Sequence, residues 1–368
     1  MALVLKSNSS LKPSVSPVGN IHGYSGPSDY RAMLDFTCQR YRLDGSDLSF
    51  DDVATLTRNS KGRYTDIFGR WQEADFNEPR FHYMAEEGEA GVLLEGGVTN
   101  GLTSSANGAS FSVANAGTKV TLSFAGTGDA TISGAGITSL GTTFYGGGRT
   151  HKVYNRSGPA SGTISVSGDV EEAMVYNGTT YYAYTPFGTV VSGETLRLSE
   201  SMVALIAGGT GTIICRYKFT PDANVDRSVN PVSIRNGNSP AGGINAGVAA
   251  RASGLGTSSV SVFADASAAN TGEQVTSILG NRPPASIGGM FFSGFGANLG
   301  IIANGQAARG VPTSVTPPTA LTEIYLGIAA PGMYSFASSP NAILTHCVIY
   351  DRMVSDEEAF NMSTAWKS

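Results

Sequence analysis

From residue 101 to 170 the chain changes side-chain character at almost every step. Ala109-Ser110-Phe111-Ser112-Val113, Lys119-Val120-Thr121-Leu122-Ser123-Phe124, Ala130-Thr131-Ile132-Ser133 and Thr163-Ile164-Ser165-Val166 each alternate an apolar residue with a polar, mostly hydroxyl-bearing one. A period of two gathers the apolar side chains on one face of an extended strand, whereas a 3.6-residue turn would scatter them. The runs are separated by glycine turns such as Gly126-Thr127-Gly128 and Gly134-Ala135-Gly136. Half-buried strands at such spacing predict a small antiparallel sandwich over residues 101–190. The composition agrees: 47 glycines and only 14% charged residues in 368 disfavour helices and suit short strands.

The same pattern resumes after Leu196. Gly211-Thr212-Ile213-Ile214-Cys215-Arg216-Tyr217-Lys218-Phe219 turns Ile213, Cys215, Tyr217 and Phe219 inward and Arg216 and Lys218 outward. Further strands follow at residues 259–263, 290–295, 298–303, 322–328 and 343–350, which predicts a second sandwich over 191–368. It ends in a helix. Ser355 stands at the N-cap and Glu358 three residues on, a capping box with acids in the first turn.

Charge is uneven, with 24 of the 53 charged residues before residue 96, which places a boundary near 100. A net charge of −5 argues against non-specific nucleic-acid binding, which needs a basic face. Cys38, Cys215 and Cys347 form no CxxC and read as reduced, buried thiols of a protein made in a reducing cytosol. The start, Met1-Ala2-Leu3-Val4-Leu5-Lys6, lacks the basic region and apolar length of a signal peptide, and no run approaches a membrane span.

Residues 51–100 are rich in turns. Pro79 fixes its own φ and sends Arg80-Phe81-His82-Tyr83 out extended, and Val92-Leu93-Leu94-Glu95 is a short strand entered through Gly91. Thr57-Arg58, Tyr64, Asp66, Gly69, Asn77, Pro79-Arg80-Phe81, Tyr83, Gly91, Leu93-Leu94-Glu95 and Thr99-Asn100 keep one order and spacing. Together they resemble the N-terminal signature of bacteriophage tail and minor structural proteins that carry concanavalin A-like (laminin G-like) lectin domains. The stretch Val348-Ile349-Tyr350-Asp351-Arg352-Met353-Val354-Ser355 is similar to the closing strand of those domains, with Met353-Val354 where the family prefers Ala-Leu. The strands of 101–190 look like the carbohydrate-binding-module-like jelly roll that follows the signature in that family.

The resemblance implies an all-β chain of two antiparallel sandwiches, jelly-roll and concanavalin A-like, preceded by an extended N-terminal attachment region over residues 1–50. Residues 6–29 bury too little apolar surface to order themselves. Leu11, Val15, Val18, Ile21, Tyr24 and Tyr30 are therefore the expected attachment contacts to another subunit or virion protein; the alternative is a tail fixed by the chain's own body. Residues 30–41 read equally as a short helix or a strand.

Few residues suggest chemistry. His22, His82, His151 and His346 have no metal-ligand or nucleophile spacing. Glu171-Glu172 point to opposite faces of a strand and cannot flank one glycosidic bond. Asp222, Asn224 and Asp226 imitate the start of a calcium loop, but Arg227 takes the glycine position and no Glu follows. Calcium is the one ion considered, and no other cofactor is expected. Tyr176, Tyr181, Tyr182 and Tyr184 are candidates for stacking on sugar faces, or else for an interface core.

The expectation is a phage virion protein assembled in the bacterial cytoplasm. It would be a tail fibre or tail appendage, a homo-oligomer with a trimer favoured, bound to other phage structural proteins and directed at host-surface glycans. A capsid decoration or head-fibre protein is the structural alternative. A polysaccharide depolymerase is the enzymatic one, disfavoured because residues 201–350 hold only Asp222, Asp226, Asp265, Glu273 and Glu323 as acids. Neither nucleic acid nor membrane insertion is expected.

Overall fold

Alternating sequence becomes antiparallel strand throughout. The computed structural model describes residues 23–84, 88–113, 119–146, 149–178, 187, 190–191, 193–219, 228–236, 243–250, 257–265, 273–281, 285–310, 320–327 and 341–366. It is all-β, and every strand pair is antiparallel among the described residues.

Two sheets form the larger sandwich. The ten-stranded one runs in the order Gln306–Gly310, Asn298–Ala303, Ala285–Ser293, Gly211–Phe219, Asn341–Tyr350, Ala32–Asp35, Arg40–Leu43, Ser46–Leu48. Asn341–Tyr350 also takes Glu89–Glu95 beside its first half, and Phe81–Met84 follows outside that. The seven-stranded sheet runs Glu273–Asn281, Thr257–Asp265, Gly243–Ala250, Ser228–Arg235, Glu323–Leu326, Thr195–Leu198, Ala54–Thr57. Between them Leu34, Leu94, Ile213, Cys215, Tyr217 and Cys347 meet Leu56, Leu196, Val232, Ile234, Ile324 and Leu326 in one core. Burial of that apolar area is the main term holding the sheets face to face.

This corrects the expected boundaries. The arm predicted over 1–50 is sheet from Ala32 onward, with Leu34 opposite Cys347 and also opposite Tyr41. Both faces of Ala32–Asp35 are buried: Ala32 and Leu34 in the core, Met33 on the far side among the residues packed around the C-terminal helix. So short an apolar run cannot order itself, but its pairing surface comes from some 300 residues away. Residues 51–100 are likewise not a separate unit. Ala54–Thr57 edges the seven-stranded sheet, and only the hairpin Gly62–Thr65 with Trp71–Ala74 forms a sheet of its own. Arg216 and Lys218 point away from the core as expected, yet they are buried, paired with Glu89 at 2.8 and 2.6 Å.

The smaller module is therefore inserted into the larger. It is a single five-stranded sheet folded over its own core of Phe111, Leu122, Phe124, Ile132, Tyr154 and Ile164. Arg149–Ser167 pairs along its first half with Lys119–Ala125 and along its second with Ser110–Val113, while Asp129–Gly146 covers its other edge. Where Gly134 faces Gly162, a Cβ on either would come within 2.1 Å of the neighbouring carbonyl oxygen. Glycine is what lets the two long strands approach there.

At the junction the signature residues converge. Arg80 is wholly buried and contacts the carboxylates of Glu95 and Glu194. Arg58 donates through its backbone N–H to Asn77 Oδ1 at 2.8 Å and holds Glu194 at 3.4 Å. Burial lowers the Arg58 pKa, and the neighbouring Arg80 adds to that. Asn100 Oδ1 accepts from Leu102 N–H and Val175 N–H at 3.1 Å each, fastening the inserted module. The module is entered and left through one clasp, Val98–Thr99 paired with Val190–Val191.

Candidate functional site

Each of three adjoining strands of the seven-stranded sheet sends alternate residues into the core: Leu196 and Leu198, Val232 and Ile234, Ile324 and Leu326. By the same period the intervening residues lie on the outer face, and they are all polar. Arg197 sits opposite Tyr325, Tyr325 opposite Ser233, and Glu323 opposite Arg235. The sequence thus builds a polar row across strands that are 38 and 88 residues apart in the chain.

Glu323 is shared by two guanidiniums. Arg235 Nε donates to its Oε2, and Arg197 Nη2 lies 3.4 Å from its Oε1. The Tyr325 hydroxyl is 3.5 Å from the same carboxylate and accepts from Arg235 Nη2 at 3.4 Å. The Arg235 guanidinium also lies over the Tyr325 ring, 5.5 Å from its centroid. Burial raises the Tyr325 pKa, so the phenol stays protonated. Ser233 is fully buried, and its hydroxyl meets no hydrogen-bond partner among the described residues.

The array opens towards the edge of the sheet. The Arg197 side chain is 44% exposed against 11% for Glu323 and 13% for Arg235. Thr55 and Thr57 on the edge strand are exposed, and Thr195 is half-buried. Guanidinium forks, a carboxylate and hydroxyls suit hydrogen bonding to the hydroxyl and acid groups of a sugar. Among the described residues Glu323 is held by two cations and no second carboxylate stands beside it.

The expected site residues fall elsewhere. Tyr176 is corrected: it is fully buried against Met174 and Val98, its hydroxyl 3.3 Å from His151 Nδ1, so its ring packs the join between module and clasp. Tyr181, Tyr182 and Tyr184 lie outside the described residues, as do Asp222, Asn224 and Asp226. Among the described residues no group of three or more His, Cys, Asp or Glu is placed to hold a metal ion.

Of the expected attachment contacts, Leu11, Val15, Val18 and Ile21 lie outside the described residues. Tyr24 and Tyr30 are corrected, because they pack on the chain's own C-terminal end. The Tyr24 ring is 4.7 Å from Trp366, its hydroxyl meets that of Tyr350, and Tyr30 stands edge-on to Tyr350 at 6.4 Å. Ser25 N–H donates to Ala365 O at 2.7 Å beside them.

Sequence reasoning missed Arg197, Ser233, Arg235, Glu323 and Tyr325. Each stands at a polar beat of an alternating strand, which is a signal for the face. Their convergence has no local signal.

No helix among the described residues is long and apolar enough to cross a membrane. No family model matches the chain, and no curated protein matches it. Among solved structures it is similar to a leech intramolecular trans-sialidase complexed with 2,7-anhydro-Neu5Ac, at 14% identity and a TM-score of 0.33. That match covers 45% of this chain and only 25% of the leech enzyme. It is similar to the CBM40 of a Ruminococcus gnavus IT-sialidase bound to α2,6-sialyllactose, at 15% identity and 0.32, over 44% of this chain and 87% of that one. A SAP-like pentraxin from Limulus polyphemus aligns at 11% identity and 0.31, over 44% and 71%. Likeness at this level carries no argument about chemistry, which rests on the residues of the outer face.

Proposed function

We propose that the chain is a structural protein of a bacteriophage virion, a tail fibre or tail appendage, that holds by its N-terminal residues and presents its sandwiches to host-surface glycans. It binds without turning over what it binds. The phage assignment comes from the sequence signature, whose residues Arg58, Asn77, Arg80, Glu95 and Asn100 gather at the junction of the two sandwiches.

One observation carries the attach-and-present reading. Tyr24, where the described chain begins, packs with Trp366 and the C-terminal helix on the outer face of the ten-stranded sheet. The Arg197, Glu323, Arg235 and Tyr325 array occupies the outer face of the seven-stranded sheet, on the opposite side of the sandwich. The described chain thus starts on the side away from the polar face, which suits a subunit held at its back by its N-terminal residues. In this reading the subunits assemble as a homo-oligomer, a trimer by preference, on other virion proteins.

Gold-labelled antibody against the chain, imaged on intact particles, tests the location. Label at the tail supports the reading, and label confined to unassembled lysate overturns it. Incubation of the purified chain with host polysaccharide tests the absence of turnover: release of reducing ends would sink the binding-only assignment.

A further inference from the structure

We propose that Cys215 and Cys347 are a disulfide site, two thiols that the central strand pairing of the ten-stranded sheet holds in register to close a cross-strand bridge when the chain folds in the presence of a low-molecular-weight disulfide. The proposal goes beyond the virion reading and does not depend on it.

Register supplies the geometry. Gly211–Phe219 and Asn341–Tyr350 run antiparallel with Cys215 directly opposite Cys347. On the other side of the second strand, Phe36 N–H donates to Thr345 O and Arg31 N–H to Ile349 O. The backbone groups of Cys347, midway between those two residues, therefore turn the same way, towards Ala32–Asp35 and away from Cys215. Opposed residues that exchange no backbone hydrogen bonds are the closer kind of pair, with Cα atoms about 4.5 Å apart. A disulfide spans roughly 4.4–6.8 Å between Cα atoms. Both side chains also enter the same core. As built they are free thiols, and each feels the other, since Cys347 adds to the burial that raises the Cys215 pKa.

Burial decides when the bridge can form. Neither cysteine has exposed surface, and the attacking form is the thiolate, which burial disfavours. The step therefore belongs to folding or to an opening of the sheet. One cysteine thiolate attacks a sulfur of the small disulfide and displaces a small thiolate. The second cysteine thiolate then attacks the mixed disulfide and displaces the other half, so two cysteine thiols and one small disulfide give one bridge and two small thiols. The bridge closes a loop on the order of 100 residues, long enough to restrict the unfolded chain strongly. Once the sandwich has closed over it, the bridge is as well covered as the thiols were.

Refolding the full chain from urea with oxidised and reduced glutathione, and in parallel with dithiothreitol, tests the proposal. Free thiols are blocked with N-ethylmaleimide in urea, and the digested chain is mapped by mass spectrometry. With dithiothreitol all three cysteines should be blocked. With glutathione, Cys215 and Cys347 should appear only in one cross-linked peptide, and the oxidised chain should melt about 5–10 °C above the reduced one. Cys347→Ala should show no such difference between the two conditions. Finding Cys215 and Cys347 blocked or separately capped by glutathione, or either bridged to Cys38, would overturn the proposal. A Cys215–Cys347 bridge without a rise in melting temperature would overturn its stabilising role.

Discussion

Arg80, with no exposed surface, places Nη2 2.6 Å from Oε1 of Glu194, a residue 114 positions further along the chain. The same guanidinium meets Glu95, and Glu95 N–H donates to Glu194 Oε2 at 2.9 Å. Removing one member of a buried ionic set leaves buried charge that its neighbours no longer balance. Arg80→Met should destabilise the chain by about 3–5 kcal/mol, read by urea unfolding. Arg80→Lys should recover little of this, since one ammonium cannot replace a two-armed fork. A loss of under about 1 kcal/mol, the scale of a surface pair, would show that the cluster does not hold the junction.

His82 follows Arg80 by two residues, and burial, with Arg80 adding to it, lowers its pKa to about 4 from 6.5. Its Nδ1 accepts from Thr65 N–H at 3.3 Å, so the folded form keeps the ring neutral. The unfolded chain takes up this proton near pH 6.5 and the folded chain only near 4. The contribution is therefore complete above pH 6.5 and is lost as the pH falls to 4, on the order of 3 kcal/mol in total. Unfolding free energy measured from pH 7.5 to 4 should decline across that window, and His82→Gln should flatten it.

Ser355 and Glu358 close a reciprocal cap on the helix Asp356–Met362, at 3.2 Å and 2.9 Å. Ser355→Ala should cost about 1 kcal/mol, a fall of about 2–4 °C in melting temperature for a domain of this size. An unchanged melting curve would mean that the helix is held by Ala359 and Met362 in the core alone.

Cys215 and Cys347 face one another across central strands, both wholly buried, and burial holds the Cys215 thiol well above its ordinary pKa. Cys38 is half-covered, its thiol pushed up to about 12 by burial and by Asp35. Thiolate is the reactive form, so Ellman's reagent should find no rapidly reacting thiol in the native chain and three after unfolding. A fast native reaction at Cys215 or Cys347 would contradict the sealed core.

How far the sequence speaks can be followed residue by residue. Period-two alternation located Gly211–Phe219 to the residue, the strand expected over 298–303 is Asn298–Ala303, and the capping box identified the last helix. The change in charge density falls near residue 100, where Val98–Thr99 pairs with Val190–Val191 at the entry to the smaller module. What escaped is everything set by distant pairing. Ala32–Asp35 carries no sign that its partner is Asn341–Tyr350, and Arg197 none that Glu323 will lie beside it. Of the two readings open for Tyr176, sugar stacking and an interface core, the structure shows the second, because Val98 from the other end of the module covers its ring.

The clasp of Val98–Thr99 with Val190–Val191 brings the ends of the smaller sandwich to adjacent strands, a gap of about 4.8 Å. A splice at that point need bridge no more than one interstrand step. The smaller module could thereby be exchanged for another of unrelated shape without rebuilding the larger sandwich that carries it.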